Sequence, residues 1–310
     1  MTDFNGKVVV ITGGTSGLGF AFAQVTGRQG AKVIITGRRE ELGAKAEAAL
    51  KAENIEAAYV PQDTTVEESW DNLLKVVLGK YGRIDYAFNN VGVMCRPVPS
   101  MKLSMRDWDW VIDTNIRGTL IGLRKFTGAL MMQAEGGSII TTASIASLAP
   151  FATWSPYSVT KAAVLRLVES FRDEMAMGGI TKIKYSVAMP GVFESDLFNS
   201  YVYRNEQYKT PGVEDPRLPT SAAHTPDGDK LGMITAEECV VELLKQIDAG
   251  KFYVYPHEDL ADALRGEVQK SMNNEQPPTD QAVFDFAFYA KKLKAQGVEA
   301  TASKIEQMSK

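Results

Sequence analysis

Short runs of apolar, mostly β-branched residues punctuate the chain at 8–11, 32–35, 57–60, 84–88, 138–142 and 183–188. Each has the length of a buried strand, and the stretches between them repeat their apolar positions at helical spacing. Parallel strands need a crossover, usually a helix, so this alternation predicts an α/β fold: a doubly wound parallel sheet with helices on both faces. It runs past residue 150 with no change of composition, internal repeat or low-complexity linker. One domain over residues 1–258 is the expectation.

The pattern lapses after Pro190. Residues 192–231 are rich in Pro, Tyr, Asn and Asp, and Pro211, Pro216, Pro219 and Pro226 break any long element. A short helix at about 194–203 is predicted inside this loop. Loops of such length in a compact domain are usually functional or disordered, and Phe193, Phe198, Tyr201, Tyr203 and Tyr208 argue for packing against something, a lid over a ligand being one option. Regular structure resumes with a helix at 235–249 and a strand at 252–255. Residues 259–310 read as a helical extension packed on the same domain, interrupted by Pro277 and Pro278.

Composition narrows the partners. With 45% hydrophobic and 23% charged residues the chain has material for a core and no bias toward disorder. A net charge of -4, from 34 basic and 38 acidic residues, gives no broad attraction for nucleic acid or an anionic membrane. Cys95 and Cys239 lie far apart with no nearby His cluster, so the expectation is two reduced thiols in a cytoplasmic protein and no metal. The amino terminus shows no export signal, and no apolar run approaches the ~18 residues of a membrane span.

Candidate chemistry begins after the first strand, where Thr12, Gly13, Gly14, Thr15, Ser16, Gly17, Leu18 and Gly19 precede a helix. Glycines there let the chain turn tightly and let a pyrophosphate approach the helix N-terminus, where unpaired N–H groups and the dipole favour an anion. After the second strand an acidic residue would accept from the ribose hydroxyl of NAD. The chain reads Thr36, Gly37, Arg38, Arg39 instead. Arg38 is placed to pair with a 2′-phosphate, which favours NADP(H) and leaves NAD(H) as the alternative; the bland reading is a solvated pair of arginines.

Tyr157 and Lys161 stand four residues apart in a segment that reads as helix, so both side chains share a face one turn apart. With these residues the sequence resembles the short-chain dehydrogenase/reductase family over about residues 5–197, in the family's order. The family's Thr-Gly-x-x-x-Gly-x-Gly turn is met by Thr12 to Gly19, its adenine-contacting Asp by Asp63 with Thr64 beside it, and its Asn-Asn-Ala-Gly motif by Asn89, Asn90, Val91 and Gly92. Its helix Asn, Ser, Tyr and Lys fall on Asn115, Ser144, Tyr157 and Lys161, its Pro-Gly motif on Pro190 and Gly191, and its nicotinamide-contacting Thr on Ser195. The resemblance implies a Rossmann-like fold and a nicotinamide cofactor held by the glycine turn, Arg38, Asp63, Thr64, Asn90, Gly92, Tyr157, Lys161, Pro190, Gly191 and Ser195. It also implies oxidoreduction between a secondary alcohol and a ketone. Two features depart from the family: Val91 and Ser195 replace an alanine and a threonine, and the Gly-rich ending common in short members gives way to 252–257 and some fifty further residues. Members with comparable tails include enzymes that oxidise bulky aromatic alcohols.

A phenol with its ordinary pKa near ~10 must fall by about 3 units to act as a base near neutrality, and Lys161 as a cation, together with the positive nicotinamide ring of the oxidised cofactor, is expected to supply that shift. Ser144 would hydrogen-bond the substrate oxygen, and Asn115 would hold a water relaying protons toward Lys161. Taken singly, Asn115 also reads as a helix residue, Ser144 as a turn residue and Tyr157 as a buried aromatic. Trp154, Phe193, Phe198 and Tyr201, with Ser144 and Tyr157, are the expected substrate walls, suited to a bulky apolar or aromatic alcohol or ketone. The other readings are a regulatory protein that binds cofactor without turnover and a sugar-nucleotide epimerase or dehydratase. His224 and His257 read as surface or turn residues, and Phe284, Phe286, Phe288 and Tyr289 as packing or interface. Helices at 104–133 and 155–177, with Leu165, Leu167, Val168 and Phe171, are expected to pair with a second copy in a homodimer or homotetramer.

Overall fold

The computed structural model describes residues 3–148, 151–191, 193, 195–217, 234–256 and 272–273. Strands β1 (Val8–Ile11), β2 (Lys32–Gly37), β3 (Ala57–Pro61), β4 (Tyr86–Asn89), β5 (Gly137–Thr142), β6 (Ile183–Ala188) and β7 (Tyr253–Val254) form one sheet. Their order is β3-β2-β1-β4-β5-β6-β7, and every pairing is parallel. The chain winds outward from β1 to β3, returns to place β4 against β1, and then winds the other way. The reversal opens a crevice beyond the carboxyl ends of β1 and β4.

Alternation along the central strands builds two cores. Val9, Ile11, Val33 and Ile35 pack with Phe22 of α1 (Gly17–Gly27), Leu50 of α2 (Glu40–Ala52) and Leu243 of α7 (Ala236–Asp248). Val8, Val10 and Ile34 face the opposite way, onto Trp70 of α3 (Glu67–Tyr81), Phe126 of α5 (Gly118–Met131) and Leu165 of α6 (Ser155–Met177). Both faces of the sheet are therefore covered, which explains why the strands read as continuous apolar runs. Leu165 and Val168 belong to this second core, with Leu167 and Phe171 packed against it. They are not the free apolar face that the sequence suggested, because one helical stripe already spends them on the sheet.

The helix predicted over 104–133 is interrupted. Ser104 caps α4 (Met105–Ile112) in a reciprocal box with Asp107, a π-helical turn follows at Asp113–Arg117, and α5 continues from Gly118. The widened turn lets Asn115 pair with both backbone groups of Val93: its Oδ1 accepts from the Val93 N–H at 2.8 Å and its Nδ2 donates to the Val93 carbonyl at 3.0 Å.

Beyond β6, Phe193 bridges to Ile234, and the helix predicted at 194–203 is a 3-10 helix, Leu197–Tyr203, followed by a single turn at Glu206–Tyr208. This segment is fastened from beneath. Arg204, wholly buried, pairs with Asp107 at the start of α4 and with Asp215 at 2.9 Å, and Arg96 reaches both carboxylates. The remainder of the predicted lid, His224, His257, the aromatics at 284–289 and all of 259–310 save Met272 and Asn273 lie outside the described residues. Among the described residues no helix is long and apolar enough to cross a membrane. Cys95 and Cys239 are free and buried, and burial raises both thiol pKa values, that of Cys95 to about 12.

Candidate active site

A cavity of about 420 Å³ occupies the crevice. The glycine turn forms one wall through Gly13, Thr15, Ser16, Gly17 and Leu18, and Arg38, Asp63, Thr64, Asn90 and Gly92 continue it along the ends of β2, β3 and β4. Tyr157, Lys161, Pro190, Gly191 and Ser195 complete the lining among the residues singled out from sequence. Gly13 has φ +66°, a conformation that L side chains rarely adopt. Gly19 lies just behind the lining, and a Cβ there would come within 2.2 Å of the Gly13 carbonyl oxygen, so the helix can approach the turn only without a side chain. No side chain caps α1 and no acidic residue stands in its first turn, which leaves its leading N–H groups and positive dipole end for an anion. The turn thus fits a dinucleotide pyrophosphate.

Hydrogen bonds tie the strand ends together beneath this wall. Thr12 Oγ1 donates to the Phe88 carbonyl at 3.2 Å and accepts from the Asn90 N–H at 2.9 Å, while Thr142 Oγ1 donates to Asn90 Oδ1 at 3.0 Å. Arg38 and Arg39 stand after β2 as expected, and among the described residues neither makes an ion pair. Arg38 donates instead to Asn205 Oδ1 at 2.7 Å, and the Arg39 guanidinium lies 4.2 Å from the centre of the Tyr203 ring.

The four residues expected to carry chemistry are all buried and converge. Lys161 Nζ donates to the Thr142 carbonyl at 2.8 Å and lies 5.7 Å from the centre of the Tyr157 ring. Ser144 accepts from the Ala146 N–H at 3.1 Å and donates to the Pro190 carbonyl at 3.5 Å, and its hydroxyl acts on the Tyr157 phenol. Asn115 is wholly buried and does not line the cavity; besides Val93 it donates to Thr160 Oγ1 at 3.0 Å. Its side-chain amide is therefore engaged in fastening the turn after β4 to α6.

Ionisation departs from expectation too. Burial pushes the Tyr157 phenol up to about 12, with the Ser144 hydrogen bond pulling weakly the other way, and burial pulls Lys161 down to about 7. The expected fall of the phenol is not what the protein without its cofactor produces, because burial disfavours the charged form of each group.

A second, smaller cavity of about 30 Å³ adjoins the first and shares Tyr157, Gly191, Phe193, Ser195 and Leu197 with it. Ser144, Trp154 and Phe198 line it. Trp154 stacks on Phe151 with ring centres 5.5 Å apart and meets Phe198 edge-on at 5.2 Å. Tyr201 does not belong to this wall. Its ring is buried among Val93, Cys95, Trp110 and Val111, and its hydroxyl donates to the Pro216 carbonyl at 2.6 Å. Sequence reasoning missed Met94 and Phe151 in the smaller cavity and Thr142 in the larger one, and it read Tyr203 as a lid aromatic without its place beside Arg38 and Arg39. Thr142 closes a predicted strand and was within reach; nothing local marks Tyr203 as the partner of an arginine so distant in sequence.

The sequence model of the family described as short chain dehydrogenase matches residues 7–206. An uncharacterized oxidoreductase of Listeria innocua is 32% identical over 227 residues, covering 71% of this chain and 90% of that protein. A Sphingobium protein named C alpha-dehydrogenase is 27% identical over 277 residues, covering 89% of each. In fold, a short chain dehydrogenase/reductase from Burkholderia phymatum, solved in complex with NAD, matches with a TM-score of 0.81 at 24% identity over 91% of this chain and 100% of that one. With residues 7–206 matched and the parallel sheet, glycine turn and buried Ser144, Tyr157 and Lys161 in place, the chain belongs to the short chain dehydrogenase family of oxidoreductases.

Proposed function

We propose that this protein is a nicotinamide-dependent oxidoreductase that interconverts a secondary alcohol and a ketone, prefers NADP(H), and uses Tyr157 as its proton carrier. The observation that carries the reading is the position of Tyr157 on the boundary between the two cavities, with Ser144 on the smaller side and Lys161 on the larger. A substrate oxygen in the smaller cavity would meet the phenol and the Ser144 hydroxyl together, and the phenol is the donor, since its proton is retained at neutral pH. Lys161, anchored on the Thr142 carbonyl and 5.7 Å from the centre of the ring, would in its protonated form favour tyrosinate when the proton leaves. The glycine turn, Asp63, Asn90 and Gly92 would hold the cofactor, and Arg38 would take a 2′-phosphate. When bound, that cofactor supplies or accepts the hydride.

Met94, Phe151, Trp154 and Phe198 give the smaller cavity an apolar and aromatic wall, which supports a bulky, largely hydrophobic substrate. A volume of about 30 Å³ holds little beyond the reacting group, so such a substrate requires Trp154 and Phe198 to swing outward. The Sphingobium relative, matched over most of both chains, is by name a C alpha-dehydrogenase.

The decisive assay follows NADPH consumption over a panel of aryl and alkyl ketones, and NADP⁺ reduction over the matching alcohols. Turnover is expected with bulky apolar members, and Tyr157→Phe should abolish it while leaving cofactor affinity within about twofold. A Tyr157→Phe variant within about tenfold of the parent, roughly 1.4 kcal/mol, removes the proton-carrier assignment. Cofactor binding with no turnover on any member would leave a binding protein.

A further inference from the structure

The segment leaving β6 reaches both ends of the larger cavity. Ser195 and Leu197 line it beside Tyr157, whereas Tyr203 lines it beside Arg38 and Arg39. At that far end Asn205 Oδ1 accepts from Arg38 Nη1 at 2.7 Å, the Tyr203 carbonyl accepts from Arg38 Nη2 at 3.4 Å, and the Tyr203 ring stacks on Arg39. The ring is itself held. Its hydroxyl donates to Asp196 Oδ2 at 3.3 Å and accepts from Arg217 Nη1. Between Tyr203 and Asn205 sits the buried Arg204, clamped by Asp107 and Asp215, so the two residues extend from a fixed point.

Both oxygens that hold Arg38 are uncharged. A carboxylate in their place would neutralise the guanidinium; an amide and a peptide carbonyl orient it and leave its charge in full. Of the five N–H donors of a guanidinium, these bonds use two, and the rest remain for a dianionic group. Arg38 is a long side chain near the surface, and ordering it in advance removes an entropy cost that binding would otherwise carry.

We infer that Asn205 and Tyr203 are specificity-determining residues of the cofactor site: they position Arg38 and Arg39 to receive a 2′-phosphate on the adenine ribose. The choice between phosphorylated and unphosphorylated dinucleotide is then made jointly by the β2–α2 turn and the β6 segment. This inference rests on Arg38 being the 2′-phosphate partner.

Calorimetric titration with 2′-phospho-ADP-ribose and with ADP-ribose tests it, since neither fragment carries a nicotinamide and the readout is independent of turnover. Asn205 is exposed, so its replacement leaves the fold intact. The parent should prefer the phosphorylated ligand by about tenfold or more, as a charge-assisted contact provides. Asn205→Ala and Tyr203→Leu should each lose about three- to tenfold for that ligand while ADP-ribose changes less than about twofold. Asn205→Asp should lose more, because its carboxylate pairs with Arg38 and repels the phosphate. Equal losses for both ligands, or a gain in 2′-phosphate affinity in Asn205→Ala, would overturn the inference. So would an undiminished preference in all these variants, and that result would leave the Arg38 assignment standing. A parent that binds ADP-ribose more tightly removes the Arg38 assignment and this inference together.

Discussion

Lys161 shows what a buried functional residue costs. It is 2% exposed, its ammonium finds one carbonyl partner, and burial lowers its pKa to about 7 against an unfolded value near ~10.4. A lysine whose folded pKa lies below its unfolded one binds fewer protons when folded. Stability therefore rises with pH between about 7 and about 10, and the full penalty is present below about 7. Lys161→Met is expected to be more stable than the parent by about 1–3 kcal/mol near neutrality, with the gap closing toward pH ~10, and to lose turnover. Urea denaturation across that range measures it. A variant less stable than the parent at every pH would mean that Lys161 is held as a well-paired cation. The identities of Lys161, Tyr157 and Ser144 were legible in the sequence because their spacing and order are local or fixed by the family. Their ionisation was not. Sequence shows which charges are neighbours, whereas desolvation depends on how completely the folded chain excludes water around them.

Among the elements, the segment after β6 depends on a buried ion cluster. Arg204 and Asp107 have fully buried side chains, and Asp215 and Arg96 complete the group. Burial raises the Asp107 pKa, but hydrogen bonds from the Ser104 hydroxyl and N–H and from Arg204 outweigh it and hold the carboxyl below its usual range. Its contribution is present above the ordinary carboxylate pKa and is lost as pH falls through the depressed one. Arg204→Met should cost about 3–5 kcal/mol by leaving two carboxylates with one arginine. Hydrogen exchange should then quicken over residues 196–217 before it does in the sheet, and a loss below about 1 kcal/mol with unchanged exchange would show the cluster to be dispensable. None of this could be read beforehand. Arg204 and Asp107 lie 97 residues apart, and each alone reads as a solvated charge. The strands and the glycine turn were legible, since their signals are periodicity and punctuation within a few residues. The π turn at Asp113–Arg117 was not, because it answers to the backbone of Val93, and the misplacement of Tyr201 has the same origin: composition marks an aromatic in a loop but not the side it faces.

At the scale of the whole molecule the proposal of an oligomer rests on other residues than those the sequence singled out. Leu165 and Val168 are spent on the protein's own core, yet Met105 on α4, Met131 at the end of α5, and Val159 and Met177 on α6 are exposed. α6 packs against both α4 and α5, so these side chains belong to neighbouring helices of one layer. Scattered exposed apolar residues are ordinary; several on adjoining helices are the usual mark of a surface that meets another protein. A two-fold axis across this layer would bury each set against its copy. Val159 permits a clean test. It stands two residues after Tyr157 and two before Lys161, which places it about 200° around the helix from the groups in the cleft, and it is 53% exposed. Val159→Glu should thus put a repelling charge at the interface without touching the active site. Light scattering of the parent at micromolar concentration should return two or four times the 33.9 kDa protomer, and Val159→Glu should shift the mass toward one while cofactor affinity stays within about twofold. A parent mass of 33.9 kDa rejects the oligomer, and a variant that keeps the parent's mass moves the interface to another face.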